Sequence, residues 1–414
     1  MMFISQKKHQ TIALTKAIFL FGALLLGSGT AFAQDPSPSF LAKVKQGAVV
    51  LADESGKVLL GTQVNRTFPP ASTLKILTSH VAIKSLGLKY HPKTEFYLGP
   101  KHQLGIKGFG DPYLISEEIT VIAKKLKALG YTHFSKVQLD TTQFVTPPKA
   151  PGTTATLNPY DALNGALAVN FNSLFLTRSK KGTVRSAEKA TPLTPLAAKK
   201  GKLLGKGTTD RFNLTNNPAE SLEYVAQLFK AIFAKEGIKT GGTVVSAPLG
   251  PEFRLILTHR NSRNLKVMLT GLLKYSNNYI ANQLFLILGA EAYGWPAEDK
   301  KSLRFLREEV EREFQPQAKE FYLAEASGIS RDNQMTPLLM LKVLEVFKPY
   351  HQLMHKHRKI KAAYLKSGTL TGVYNYAGYF KTKTGLRPFV IFLNEPKNHR
   401  DQLLAELWKY SKTH

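Results

Sequence analysis

Phe68-Pro69-Pro70-Ala71-Ser72-Thr73-Leu74-Lys75-Ile76-Leu77 is the stretch around which the chain is organised. Two prolines in series cannot sit inside a helix but suit the positions just before or at its first turn, so they predict a helix beginning near Ser72. The helical pattern continues to about Leu86, and Gly87 supplies a stop. A spacing of three residues puts the Ser72 hydroxyl and the Lys75 amine on one face, one turn apart. Leu74, Ile76, Leu77, Val81, Ala82 and Ile83 are apolar enough to bury this helix, and burial disfavours the charged form of an amine. A neutral lysine beside a serine is a base beside a nucleophile. The same spacing recurs in Ser5-Gln6-Lys7-Lys8 and in the charged stretch Ser186-Ala187-Glu188-Lys189, so the pair gains meaning only with partners elsewhere.

Met1 to Lys16 is basic and free of acids, Ala17 to Gly27 is apolar, and Ala31-Phe32-Ala33 is a small-x-small site before Gln34. These features predict a signal peptide over residues 1–33 and an exported, periplasmic protein. The apolar run is too short for a membrane span, and no later segment is long enough, so no transmembrane span is expected in the mature chain. The chain has no cysteine, so its stability must come from a large core. The formal charge is +28, with Lys7, Lys8 and Lys16 belonging to the leader. Such a field favours polyanions or an anionic surface. An exported chain lacking an aromatic-plus-basic signature does not read as a nucleic-acid binder, which leaves an anionic envelope surface or simple solvation.

In chain order, Gln34 to Ser39 is a Pro/Ser linker, and Ala48–Ala52 and Lys57–Gly61 form a hairpin through Asp53-Glu54-Ser55-Gly56. Between Tyr90 and about Gly250, short apolar runs alternate with turn residues, interrupted by helical patterns over Glu117–Leu129 and Ala219–Glu236. Thr177 to Arg211 is basic, with little periodicity, and reads as a mobile excursion. Helices return over Val267–Leu273, Tyr279–Leu288, Leu303–Phe314 and Leu338–Phe347. Strands over Tyr364–Leu370, Tyr374–Phe380 and Pro388–Leu393 follow, then a helix over Arg400–Lys412. A hairpin at the start with strands and a helix at the end predicts one antiparallel sheet built from both chain ends. Residues 34–92 and 250–414 are then the catalytic domain, and 93–249 an inserted, mostly β domain.

Two further motifs complete a serine acyl-transfer site, Ser-x-Asn and then Lys-Thr-Gly. Ser276-Asn277-Asn278 sits at the junction of two apolar helices, whereas Ser262-Arg263-Asn264 lies in an exposed charged run, so Ser276 is preferred. Lys239-Thr240-Gly241 looks like a helix end and turn, and Lys383-Thr384-Gly385 occupies a hairpin tip where glycine serves the backbone. Lys366-Ser367-Gly368 enters an apolar strand that should border the cleft, and Ser367 keeps the hydroxyl, so Lys366 is chosen.

These motifs together resemble the class C low-molecular-mass penicillin-binding proteins, the D-alanyl-D-alanine carboxypeptidase/endopeptidase family. The likeness includes Pro70-Ala71-Ser72-Thr73-Leu74-Lys75, Gly108-Phe109-Gly110-Asp111-Pro112, Ser276-Asn277-Asn278-Tyr279, Ser327-Gly328-Ile329-Ser330-Arg331-Asp332-Asn333 and Lys366-Ser367-Gly368-Thr369-Leu370-Thr371-Gly372. Departures are Asn277 where the family often has Asp, Ser367 for Thr, Glu325-Ala326 before Ser327, and a short stretch from Pro337 to Lys366. The resemblance implies an α+β, penicillin-binding transpeptidase-like domain with a helical subdomain, in addition to the inserted β domain. It implies cleavage of peptidoglycan stem peptides after acylation of Ser72, with inhibition by β-lactams. Lys75 would be the base and Ser276 a proton relay between Lys75 and Lys366. Asn278 would bond the substrate or Lys75, and Lys366 with Ser367, Gly368 and Thr369 would bind the terminal carboxylate. The N–H groups of Ser72 and Thr369 would hold the oxyanion. No cofactor or metal is expected; Lys356 and Arg358 oppose a metal at His351, His355 and His357. Asp111-Pro112 reads as a turn and Tyr374–Phe380 as strand packing. The rival function is a catalytically silent wall-binding module that uses the basic surface.

Overall fold

The computed structural model describes residues 38–145 and 149–414. The expected leader, its cleavage site and the linker up to Ser37 lie outside the described residues. No helix among the described residues is long and apolar enough to cross a membrane.

The strands Gly47–Ala52 and Val58–Thr62 pair as the expected hairpin, and the Asp53 carboxylate closes its turn by accepting the Ser55 and Lys57 amides at 2.9 and 3.0 Å. Gly47–Ala52 also pairs antiparallel with Leu386–Leu393, with Val50 opposite Val390, so the early and late chain share one sheet. That sheet has six strands in the order His355–Lys356, Ala363–Leu370, Val373–Lys381, Leu386–Leu393, Gly47–Ala52, Val58–Thr62. The short edge strand His355–Lys356 was not anticipated. Gly47–Ala52 is buried throughout because both faces of the sheet are covered. Val49 and Leu51 pack with Leu403, Leu404 and Leu407 of the terminal helix Arg400–Tyr410. Ala48, Val50 and Ala52 face the larger core, which holds Leu74, Ile76, Leu77, Leu284 and Leu344. Within that core, every residue of the helix Lys75–Leu86 from Lys75 to Ile83 is buried, the polar ones included: Thr78 donates to Ala326 O at 2.7 Å and His80 Nε2 lies 2.8 Å from Glu313. Gly87, at φ 77°, ends it.

The chain leaves this body at Tyr90–Pro92 and returns beside it: the Asn261 amide donates to Pro92 O at 2.9 Å and the Leu265 amide to Tyr90 O at 2.8 Å. Between them lies a second, mixed sheet in the order Val244–Ser246, Lys136–Asp140, Gln103–Gly108, Lys93–Gly99, Arg254–Arg260. Helices Ser116–Ala128 and Pro218–Lys235 cover it over a core of Phe96, Ile122, Leu139, Phe229 and Phe233. The expected boundary at residue 249 is corrected here. Arg254–Arg260 pairs antiparallel with Lys93–Gly99, Thr258 opposite Glu95, and so forms the edge of the second sheet.

Thr177 to Arg211 is also corrected. It is regular structure, a small sheet of Val184–Ser186, Ser173–Arg178 and Thr208–Asn213 with a helix over Pro195–Gly201 capped by Thr194. Ser173–Arg178 pairs with Val184–Ser186 across a short turn but with Thr208–Asn213 across a long connection, and local periodicity could not reveal the second pairing.

Candidate active site

Ser72 stands in a 3-10 turn, Ala71–Leu74, that leads into the helix at Lys75. The turn begins tightly. Thr73 donates from both its amide and its hydroxyl to Pro70 O, and Ala71 adopts a left-handed φ of 46°, a conformation that costs an L-residue roughly 1 kcal/mol. Two glycines make room for it. A Cβ at Gly328 would meet Ala71 O at 1.9 Å, and one at Gly368 would meet Pro70 O at 2.8 Å and Ser72 N at 3.1 Å. The Ser72 turn is thus clamped between the Ser327-Gly328 loop and the Lys366 strand.

Lys75 is fully buried, with Nζ 3.0 Å from Ser72 Oγ, 2.7 Å from Asn278 Oδ1 and 2.5 Å from Ser327 O. Burial pushes its pKa well down, the Lys366 charge adds to this, and the Glu325 carboxylate works against it. A neutral amine held this close to a hydroxyl can take its proton. Lys366, 1% exposed, donates to Ser276 Oγ at 2.8 Å and to Ser367 O at 2.7 Å. Burial, with a smaller contribution from the Arg400 charge, lowers its pKa to about 7.

Ser276 reaches this lysine because it takes a left-handed conformation, φ 56° and ψ 37°, between helices Leu265–Tyr275 and Asn278–Tyr293. Asn277 turns the other way: its side chain accepts the Ile280 amide at 3.0 Å and caps the second helix, a role Asp would also fill. Asn278 donates to Tyr160 O at 3.3 Å while accepting from Lys75, which fixes its amide orientation. Ser72, Lys75, Ser276, Asn278, Lys366, Ser367, Gly368 and Thr369 therefore converge, drawn from three separate segments.

Three contributors were not picked out by the motifs. The Ser327 carbonyl holds Lys75, and Glu325 shapes its loop by accepting the amides of Ser327 and Gly328 at 2.7 and 2.6 Å and the Asn333 side chain at 2.7 Å. The departure at Glu325 is thus a loop organiser; Ser327-Gly328 was visible in the sequence but its role was not. Arg400, the first residue of the terminal helix, donates to Gly368 O at 3.0 Å and Thr369 Oγ1 at 2.8 Å and lies over the Tyr376 ring. Nothing local in the sequence marks it.

The rejected motifs have other work. Ser262 donates from its amide and hydroxyl to the buried Glu118, and Asn264 caps the helix at Val267. Lys239–Thr240 pairs with His133–Phe134. Asp111 accepts the Tyr113 amide at 2.8 Å, closing the expected turn, and burial pushes its pKa up to about 7. His351 lies against Tyr364, and His357 Nδ1 accepts the Ile360 amide. Among the described residues, no group of three or more His, Asp or Glu side chains is arranged to hold a metal.

A Ser-x-x-Lys pair with its lysine buried, facing a Ser-x-Asn turn and a Lys-Ser-Gly strand, defines an active-site-serine fold of the penicillin-binding type. The profile of the D-Ala-D-Ala carboxypeptidase 3 (S13) family matches residues 31–200 and 200–355, and the chain belongs to this family. It is 28% identical over 226 residues to D-alanyl-D-alanine carboxypeptidase DacB of Haemophilus influenzae, an alignment spanning 45% of this chain and 46% of that protein. The chain thus spans about half the length of that relative. The fold is similar to penicillin-binding protein 4 of H. influenzae, with a TM-score of 0.71 at 20% identity, covering 86% of this chain and 92% of the other. A predatory peptidoglycan endopeptidase of Bdellovibrio bacteriovorus matches at a TM-score of 0.55 and 15% identity, covering 89% and 91%.

Proposed function

We propose that the chain is a serine-type D-alanyl-D-alanine carboxypeptidase/endopeptidase that cleaves peptidoglycan stem peptides through an acyl-enzyme on Ser72. The observation that carries this reading is the Lys75 amine, fully buried and 3.0 Å from the Ser72 hydroxyl. In the proposed reaction Lys75 takes the Ser72 proton as Oγ attacks the carbonyl of the penultimate D-Ala. The oxyanion forms against the N–H groups of Ser72 and Thr369, dipoles that need no reorientation. Ser276, bonded to Lys366, passes a proton to the departing amine, the C–N bond breaks, and water later releases the acyl group. Asn278 keeps the Lys75 amine aimed at Ser72. Lys366, with Ser367 and Thr369 on the strand past Gly368, binds the terminal carboxylate, a charge-assisted contact that a cation on this strand supplies. A β-lactam acylates the same hydroxyl.

Residues 34–92 and those from Asn261 onward form the catalytic portion in this proposal, and the segment between them is an insertion. The paired exit and return at Pro92 and Asn261 support that division. Export to the periplasm rests on the leader, and an anionic envelope surface is the proposed partner of the basic field. Incubation with a fluorescent penicillin and digestion of purified muropeptides test the enzyme. Covalent labelling and loss of terminal D-Ala, or cleavage of D-Ala cross-links, are expected. Absence of labelling, with salt-sensitive binding to isolated walls retained, would leave only the silent wall-binding module.

A further inference from the structure

We infer that one end of the small module at residues 173–213 is a docking surface for a bilayer bearing anionic phosphate headgroups. Thr177 to Arg211 carries ten lysines and arginines against two acids. The two acids are engaged at Arg211, Glu188 by pairing with its guanidinium and Asp210 by accepting its amide at 2.7 Å, and Lys200 pairs with Glu220 outside the segment. Lys180, Lys181, Lys199, Lys202 and Lys206 are exposed, and none has an ion-pair partner among the described residues.

Two turns bring several of these lysines together. The Ser179–Thr183 turn is closed by Ser179 N donating to Thr183 O at 2.9 Å and Gly182 N donating to Ser179 O at 2.8 Å. The Lys202–Gly207 turn is tied to the same strand: Arg178 Nη1 donates to Lys202 O and Leu204 O at 2.8 and 2.7 Å, and Gly207 N donates to Arg178 O at 2.7 Å. The turns touch, since a Cβ on Gly207 would stand 3.4 Å from Lys180 Cγ and one on Gly182 3.9 Å from Lys206 Cε. The backbone beneath the lysines is therefore fixed, and their charges share one end of the module.

At that end Leu203 is 62% exposed, while its neighbour Leu204 packs onto the core. An apolar side chain between Lys202 and Lys206 suits the boundary of a bilayer, where lysine heads meet phosphates and the leucine enters the acyl edge. A soluble polyanion would satisfy the lysines and leave Leu203 in water, which is why the bilayer is favoured. The proposal rests on the chain working in the envelope.

Its test is vesicle co-sedimentation with the full chain, all variants prepared identically, using phosphatidylcholine vesicles with and without phosphatidylglycerol, alongside fluorescent-penicillin labelling. Binding to anionic vesicles that weakens with salt is expected. Lys180→Glu/Lys202→Glu/Lys206→Glu should weaken it on the order of a hundredfold, from the contribution of each lysine near an anionic surface. Leu203→Asp should weaken it roughly tenfold through lost apolar burial. The dispersed reversal Lys57→Glu/Lys235→Glu/Lys412→Glu should change it by less than about threefold, since these sites lie outside the patch. Labelling should persist in every variant, so a protein that labels but does not bind vesicles fails this inference alone. Equal losses from the dispersed and clustered reversals overturn it in favour of a diffuse field. Unchanged vesicle binding by Leu203→Asp, with heparin binding lost in the clustered variant, overturns it in favour of a soluble polyanion.

Discussion

Two segments of one sheet carry nearly the same tripeptide, Lys366-Ser367-Gly368 and Lys383-Thr384-Gly385, and their surroundings differ completely. Lys366 is buried, bonded to Ser276 and shifted to a pKa of about 7, and Gly368 presses against the Ser72 turn. Lys383 is exposed at a hairpin tip. There, Thr384 donates to Glu54, whose carboxylate also accepts from Arg387 Nε at 2.8 Å, so the tip is fastened to the first hairpin's turn. The Thr384 bond leads the contacts that hold the Glu54 pKa down at about 2. One tripeptide thus faces the candidate chemistry while the other joins the two ends of the chain. The closer literal match to Lys-Thr-Gly is the structural one.

The strongest challenge to this contrast is Ser72→Ala, which should abolish covalent penicillin labelling while leaving the melting temperature close to that of the parent; residual stoichiometric labelling would move the nucleophile elsewhere. Next, Lys366→Ala should slow acylation about a hundredfold or more, the range lost when a group serving proton transfer is removed. Lys383→Ala should stay within about twofold, a change too small for any role in that step. Comparable second-order labelling rates in the two variants would erase the distinction between the tripeptides.

Stability against pH sharpens it further. The folded pKa of Lys366 is depressed to about 7, so between pH 7 and its ordinary value the unfolded chain binds a proton there that the folded chain does not. Stability from this group rises with pH across that window. The melting temperature of the parent should therefore gain on that of Lys366→Met as pH climbs from 7 towards 10, with no such trend for Lys383→Met. The smallest effect belongs to the tip. The depressed pKa of Glu54 contributes stability above its ordinary value that is lost as pH falls towards 2, so Glu54→Gln should flatten acid unfolding in that range and leave labelling unchanged. A labelling defect in Glu54→Gln would mean that the tip communicates with the cleft.

Much of this was legible along the chain because it is local. Pro69-Pro70 followed by an apolar run announces the Ser72 helix, Asp53 to Gly56 announces the hairpin, and the three late strands alternate with turn residues that end them. Ordered short motifs separated Ser276 from Ser262 and Lys366 from Lys383, since apolar flanks foretell burial. Contacts between distant residues left no such trace. The strand Arg254–Arg260 joined the second sheet, and Thr208–Asn213 found Ser173–Arg178 across a long connection, through backbone bonds that any residue but proline can make.

Residue order alone therefore specified the first hairpin, the Ser72 helix, the late strands and the candidate nucleophile with its neighbouring amine, because turn chemistry, periodicity and spacing act within a few residues of one another, and the order of the short motifs pointed to the family. Assembly in three dimensions set Ser276 against Lys366, brought the Ser327 carbonyl and Arg400 to the cleft, and left Leu203 uncovered among cations. Desolvation and close packing depend on everything that surrounds a group, and those surroundings come from all parts of the chain.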